Sequence, residues 1–146
     1  MQITLPYNFT ARPYQREALK GLDTFKRAIL IWHRRAWKDK TAFQALIKKA
    51  LERKGVYYYI FPEYEQGRKA FWDNIDNDGK TMFDHVPKEL SKKRNDQSMQ
   101  LELVNGSLIQ VIGTDRKIDN IVGTNPVGCL FSEFPISDPR WWDLIR

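Results

Sequence analysis

Short apolar runs alternate with amphipathic stretches along this chain. Runs rich in β-forming residues predict strands at 27–32, 56–61 and 127–131. Helical spacing of apolar residues predicts helices at 13–22, 38–54 and 64–74, and a final helix after 138–139. Pro13 suits the first turn of the first of these helices, and Gly55 suits the end of the second.

The second half of the chain carries a hairpin signal. Two apolar runs, 100–104 and 107–112, flank Asn105-Gly106, a dipeptide that favours a tight two-residue turn. Segment 76–97 is polar and charged, so we expect a mobile loop with one short helix. Together these elements predict an α/β fold with a mainly parallel sheet flanked by helices, with the hairpin inserted at one side.

Composition adds modest constraints. A chain of 146 residues corresponds to one domain, and its net charge of +6 favours an anionic partner or simply a basic soluble domain. Cys129, the single cysteine, lies in an apolar run and predicts a buried thiol in a reducing compartment. No apolar run approaches the ~18 residues of a membrane span, and no basic leader followed by an apolar run is visible at the N-terminus, so we expect an intracellular protein.

Segment 29–41 joins an apolar run, a cationic turn and the start of a helical pattern. This is the layout of a phosphate-binding loop, although the segment contains no glycine. In one register Lys38 is the phosphate lysine. Trp32 and Trp37 then stand at the glycine positions, and Asp39 stands where a hydroxyl residue is usual.

A second register makes Lys40-Thr41 the lysine–hydroxyl pair, with Arg34 and Asp39 at the glycine positions. A third interpretation is a basic helix N-terminus on the surface, without a nucleotide. In either nucleotide register the loop from Arg34 to Thr41 would contact the phosphates, including Ala36.

The strand predicted at 127–131 favours the first register. A magnesium nucleotide site needs a carboxylate at the end of such a strand and a second acid to activate water. Here the strand is followed by Ser132-Glu133. If Asp39 and Ser132 have exchanged the usual hydroxyl and carboxylate, one of each still faces the same Mg²⁺. We therefore prefer Lys38 as the phosphate lysine, with Asp39 and Ser132 as metal ligands.

Two catalytic roles follow from this register. Glu133 is the candidate base for the attacking water, and its alternative is a solvated acid at a strand end. Arg34 or Arg35 could neutralise γ-phosphate charge, which dominates catalysis of phosphoryl transfer; their alternatives are solvent exposure or a DNA phosphate contact.

Several motifs, in this order, resemble the large terminase subunit of tailed bacteriophages, the ATPase that pumps DNA into procapsids. The matching segments are Arg12-Pro13-Tyr14-Gln15, 32–39, 61–66, 105–107 with 111–115, Gly123-Thr124-Asn125-Pro126, and Phe131-Ser132-Glu133-Phe134 with 138–140. They cover nearly the whole chain.

The resemblance implies a P-loop NTPase fold of the ASCE type and the cofactors ATP and Mg²⁺, with Gln15 reading the adenine. It implies double-stranded DNA, a portal protein and a small terminase subunit as partners, a homo-oligomeric ring in the full-length protein, and action in the cytoplasm of the infected bacterial host. Residues 1–146 then form a single, partial ATPase domain that is incomplete at its C-terminus and lacks the nuclease domain.

Two residues depart from the family pattern. Trp37 stands where the matching branch has glycine, and Val122 stands where the family often has arginine. If that glycine uses a positive φ, tryptophan adds roughly 1–2 kcal/mol of strain. Two alternatives therefore stay open: a catalytically impaired fragment that acts as a structural or interaction module, and a fragment of a superfamily-2 helicase.

Overall fold

The computed structural model describes residues 8–145, except the side chain of Asn120. A mixed five-stranded sheet is flanked by helices, which confirms the α/β expectation at that level. The α-helices are α1 (Pro13–Thr24), α2 (Lys38–Glu52), α3 (Tyr64–Gly67) and α4 (Arg140–Ile145). The strands are β1 (Val56–Phe61), β2 (Ser91–Asn95), β3 (Gln100–Leu103), β4 (Leu108–Gly113) and β5 (Gly128–Phe131).

The strand order is β2-β3-β4-β1-β5. Strand β1 pairs in parallel with β4 and β5, whereas β3 pairs antiparallel with both β4 and β2. Strand β3 is therefore the one that runs against the other four. This arrangement brings the carboxyl ends of β1 and β5 to the same edge of the sheet.

Both faces of β1 are buried, because helices cover the sheet on each side. Tyr57 and Tyr59 face a core built with α2 and with α3, which continues as a π-helical turn at Arg68–Trp72. Tyr58 and Ile60 face a smaller core that includes Trp141 of α4. Burial of the aromatic residues on both faces makes β1 the centre of the fold.

The predicted hairpin is present as β3 and β4, but it is not an insertion. Strand β4 pairs with β1, so the hairpin belongs to the interior of the sheet. Its turn also caps the C-terminus of α2. Asn105 Nδ2 donates to the carbonyls of Ala50 (2.8 Å) and Leu51 (3.2 Å), and Ser107 Oγ donates to the Ala50 carbonyl at 2.6 Å. These bonds satisfy carbonyls that the helix end leaves without partners.

The strand predicted at 27–32 is wrong for this structure. Ile29 and Ile31 are 86% and 89% exposed, and the segment has no ladder with any strand. Strand β5 pairs only with β1 among the described strands. A run of β-forming residues does not become a strand without a neighbouring strand to pair with. β-propensity alone was therefore not enough to predict a strand here.

The prediction of a loop with one short helix at 76–97 is correct about short helical structure but wrong in missing a strand. The structure has 3₁₀ turns at Met82–His85 and Lys88–Leu90 and the edge strand β2. Strand β2 is mostly charged and lacks apolar alternation, because exposed edge strands commonly carry lysines that discourage pairing between molecules.

Candidate functional site

The N-terminus of α2 offers backbone N–H groups at the edge where β1 and β5 end. The first backbone bond of this helix runs from the Thr41 N–H to the Trp37 carbonyl at 3.0 Å. Helix geometry therefore leaves the N–H groups of Lys38, Asp39 and Lys40 without intrahelical acceptors. A 15-residue helix with such a start has the local geometry and dipole that attract anions.

The backbone around this helix start is strained. Arg35 and Trp37 adopt left-handed conformations with φ of 64° and 59°, and Glu133, after β5, has φ of 53°. Each such residue costs about 1–2 kcal/mol relative to glycine. The positive φ anticipated at Trp37 is thus present, in the conformation that a glycine would adopt without strain.

Asp39 joins α2 to both strands. Its Oδ1 accepts a hydrogen bond from Ser132 Oγ at 2.8 Å and another from Tyr59 Oη at 2.5 Å. Ser132 is held there because its N–H donates to the Ile60 carbonyl at 2.8 Å, which extends the pairing of β5 with β1. Burial, and then the Asp39 charge and hydrogen bond, raises the pKa of Tyr59 well above its usual value, so Tyr59 acts as a neutral donor.

Helix α1 anchors the other side of the loop. Tyr14 Oη donates to the Ala36 carbonyl at 3.2 Å. Gln15, 3% exposed, donates through Nε2 to Thr41 Oγ1 at 2.9 Å and accepts the Arg12 N–H at 2.8 Å. Thr41 Oγ1 in turn donates to the Trp37 carbonyl at 3.0 Å. The strained turn is thereby tied to α1.

These bonds separate the two loop registers. Thr41 is completely buried and its hydroxyl is used within the protein, while Lys40 lies against Asp76 with 3.6 Å between Nζ and Oδ2. In contrast, the Lys38 side chain forms no ion pair within residues 8–145. The geometry therefore favours Lys38 over Lys40 as the cation available to an anion at the helix start.

The three remaining predicted site residues are surface residues. Arg34, Arg35 and Glu133 are exposed, and none of their side chains forms an ion pair in the part of the chain that the structure describes. Glu133 directly follows Ser132, so it is close in sequence to the Asp39 network. The catalytic roles of these three residues stay predictions.

The contacts of Gln15 and the presence of Tyr59 in the site differ from the sequence-based predictions. Both ends of the Gln15 amide are used by Arg12 and Thr41, so reading an adenine would require Gln15 to exchange a protein partner for the base. Tyr59 was not predicted to belong to the site. The sequence could have pointed to Tyr59 only through its hydroxyl, which faces inward on β1 beside the end of β5. That position relative to Ser132 follows only from the pairing of β1 with β5.

The comparisons with known proteins identify no relative. No protein-family model, curated protein or solved structure matches this chain. Within residues 8–145 no helix is both long and apolar enough to cross a membrane. In the same residues no group of three or more His, Cys, Asp and Glu side chains could hold a metal ion, so any metal here would depend on a mixed set such as Asp39 and Ser132.

Proposed function

We propose that this chain is an ATP-hydrolysing domain of the terminase large-subunit kind, which drives viral DNA into procapsids. The observation that supports it best is the contact between Asp39 and Ser132. These residues are 93 positions apart in the chain, and the sequence motifs predict them as a carboxylate and a hydroxyl that face one metal.

The residues present fit Mg²⁺ and a nucleotide phosphate in chemistry. Magnesium prefers oxygen ligands, and Asp39 and Ser132 supply a carboxylate and a hydroxyl at the same point. Lys38 and the leading N–H groups of α2 would hold the phosphates, and bound Mg²⁺ would supply neutralisation of phosphate charge. Tyr59 would keep the Asp39 carboxylate oriented by its hydrogen bond to Oδ1.

The other parts of this proposal depend on the sequence resemblance. Double-stranded DNA is the expected polyanion, and the net charge of +6 is compatible with it. A ring of subunits on a portal protein, a small terminase subunit as partner, and the infected host cytoplasm as location are proposals of the same origin.

One observation favours a second function, a structural or interaction module without hydrolysis. The segment before the loop, 27–32, has no strand partner, and Ile29 and Ile31 are exposed. A phosphate loop usually lies between a buried strand and a helix, and both elements hold it in place. Here no strand of the described residues precedes the loop, which is held by α1 and α2 instead. The two functions differ in whether Mg²⁺-ATP binds.

An exchange of side chains tests the proposal. Asp39→Ser removes the carboxylate, and Ser132→Asp places two carboxylates together, so each variant should weaken Mg²⁺-dependent ATP binding about tenfold or more. The double variant has one carboxylate and one hydroxyl again, in the reversed positions. We expect its affinity to return to within about threefold of the parent protein, measured by titration calorimetry.

Ser137→Ala is a suitable control, because Ser137 also lies in the turn after β5 but donates to the Glu133 carbonyl rather than to Asp39. Its affinity should match the parent. A double variant as weak as the weaker single variant would contradict the metal-ligand pair. Absence of ATP binding in the parent would favour the structural module, and hydrolysis stimulated by single-stranded DNA or RNA alone would favour a helicase fragment.

A further inference from the structure

A cluster outside the Asp39 network connects the strained turn to a distant loop. Trp37, Lys40, Asp76 and His85 line a small hollow beside the start of α2. Trp37 and Lys40 belong to the turn and the first turn of the helix, whereas Asp76 and His85 follow the π-helical turn. None of the motifs that predicted the site includes Asp76 or His85.

Lys40 is the centre of this cluster. Its Nζ lies 4.7 Å from the centroid of a Trp37 ring and 3.6 Å from Asp76 Oδ2. The Lys40 side chain is 14% exposed and that of Asp76 is 7% exposed, so both contacts are largely shielded from water. An ammonium group over an indole is attracted more strongly when water is excluded, as it is here.

Asp76 is a fixed anion rather than a mobile surface charge. Its Oδ1 accepts the N–H groups of Asp78 and Lys80, both at 2.9 Å, and its Oδ2 lies 3.5 Å from His85 Nε2. The Lys80 N–H bond is the largest influence that lowers the pKa of this carboxyl. The backbone of the 76–80 loop thus holds the carboxylate in place for Lys40.

We propose that Asp76 and Lys40 are positioning residues, which clamp the Trp37 indole and thereby hold the left-handed turn before α2. A tryptophan at φ 59° needs such support, because its backbone conformation is one that glycine adopts freely. The consequence for Lys38 and the helix N–H groups rests on the proposed nucleotide function. In that setting the clamp keeps the anion site formed and keeps Lys40 away from the phosphates.

Removing the clamp should change the environment of Trp37 and weaken nucleotide binding. Asp76→Asn and Lys40→Met should each shift the Trp37 indole N–H resonance, assigned by its loss in Trp37→Phe, and each should raise the Kd for Mg²⁺-ATP about fivefold. Lys40→Arg keeps a cation beside the Trp37 indole and Asp76, so its Trp37 resonance and its Kd for Mg²⁺-ATP should stay close to those of the parent protein. Asp78→Asn, an exposed carboxylate in the same loop, is the matched control and should change neither.

The Trp37→Gly background isolates the proposed role. Glycine does not need the clamp, so Asp76→Asn should no longer change Mg²⁺-ATP affinity there. An unchanged Trp37 resonance in Asp76→Asn and in Lys40→Met would overturn the clamp. An equal loss of affinity in the Trp37→Gly background would also overturn it, because Asp76 would then act by another route.

The two proposals fail in different ways. If the parent protein binds no Mg²⁺-ATP, the proposed function fails, while the Trp37 resonance still decides the clamp. If Asp76→Asn does not fold, the comparison of Lys40→Met with Lys40→Arg carries the test. Equal spectra for those two variants would then contradict the clamp.

Discussion

The hydroxyl of Tyr59 is the most specific structural link in the site, and its removal gives a sharp prediction. Tyr59 is completely buried and donates to Asp39 Oδ1 at 2.5 Å. Tyr59→Phe keeps the ring in the core and deletes the donor. A hydrogen bond to a charged group contributes about 1.5–3 kcal/mol, and Asp39 keeps its bond from Ser132. We therefore expect a loss of about 1.5–2 kcal/mol.

Urea denaturation followed by circular dichroism measures this loss. For a chain of this size it corresponds to a fall in Tm of roughly 5–7 °C. The neighbouring Tyr58→Phe is a matched control, because Tyr58 is also buried on β1 but its hydroxyl forms no hydrogen bond within the described residues. That control should change stability by about 0.5 kcal/mol or less.

The pH dependence provides a second readout of the same bond. The pKa of Tyr59 is raised in the folded protein, so its contribution to stability is complete below pH 10 and is lost as pH rises above 10, where the unfolded chain ionises. Tyr59→Phe should lack this part of the alkaline loss. If Tyr59→Phe is no less stable than Tyr58→Phe at pH 7, the hydrogen bond to Asp39 does not stabilise the fold as argued.

Two other predictions concern the core and the single thiol. Gly113→Ala should lower the free energy of unfolding, measured by urea denaturation, by about 2–3 kcal/mol, since an added Cβ would lie 2.2 Å from the Tyr64 backbone nitrogen. At Gly21 in helix α1 an added Cβ meets nothing within 4 Å, so Gly21→Ala should stabilise the protein by about 0.5–1 kcal/mol. Equal effects of the two substitutions would refute the steric reasoning. Cys129 is partly buried, and this burial raises the pKa of its thiol from 9.0 to about 12. At pH 8 the folded thiol should therefore react with a disulfide reagent on the order of 1000-fold more slowly than in urea, and its contribution to stability should be lost as pH rises from 9 to 12. Comparable rates in the two states would contradict the shielding of the thiol.

Local patterns predicted the helices and most strands because these elements carry their own signals. Pro13 begins α1, the spacing of apolar residues predicted α2, and Asn105-Gly106 predicted the turn between β3 and β4. The segment 27–32 failed because a strand also requires a partner, which no local pattern supplies. Strand β2 was missed because its pairing with β3 stabilises it as a strand, whereas its own charged composition does not indicate one.

The site was partly predictable for a similar reason. The pairing of Asp39 with Ser132 could be inferred because both residues belong to ordered motifs. Tyr59 and Asp76 could not, because each acts through a contact between separate segments of the chain: Tyr59 of β1 through Asp39 of α2, and Asp76 through Lys40. Their residue types are common, and only the fold makes them part of the site.

Binding of Mg²⁺-ATP to the parent protein and to Lys38→Ala tests the central proposal most directly. Lys69→Ala is the control, since Lys69 is an exposed lysine of the π-helical turn. We predict saturable, Mg²⁺-dependent binding in the parent and in the control, and at least a tenfold loss in Lys38→Ala. Equal affinity in all three proteins, or no binding to the parent, would contradict an ATP site at the start of α2.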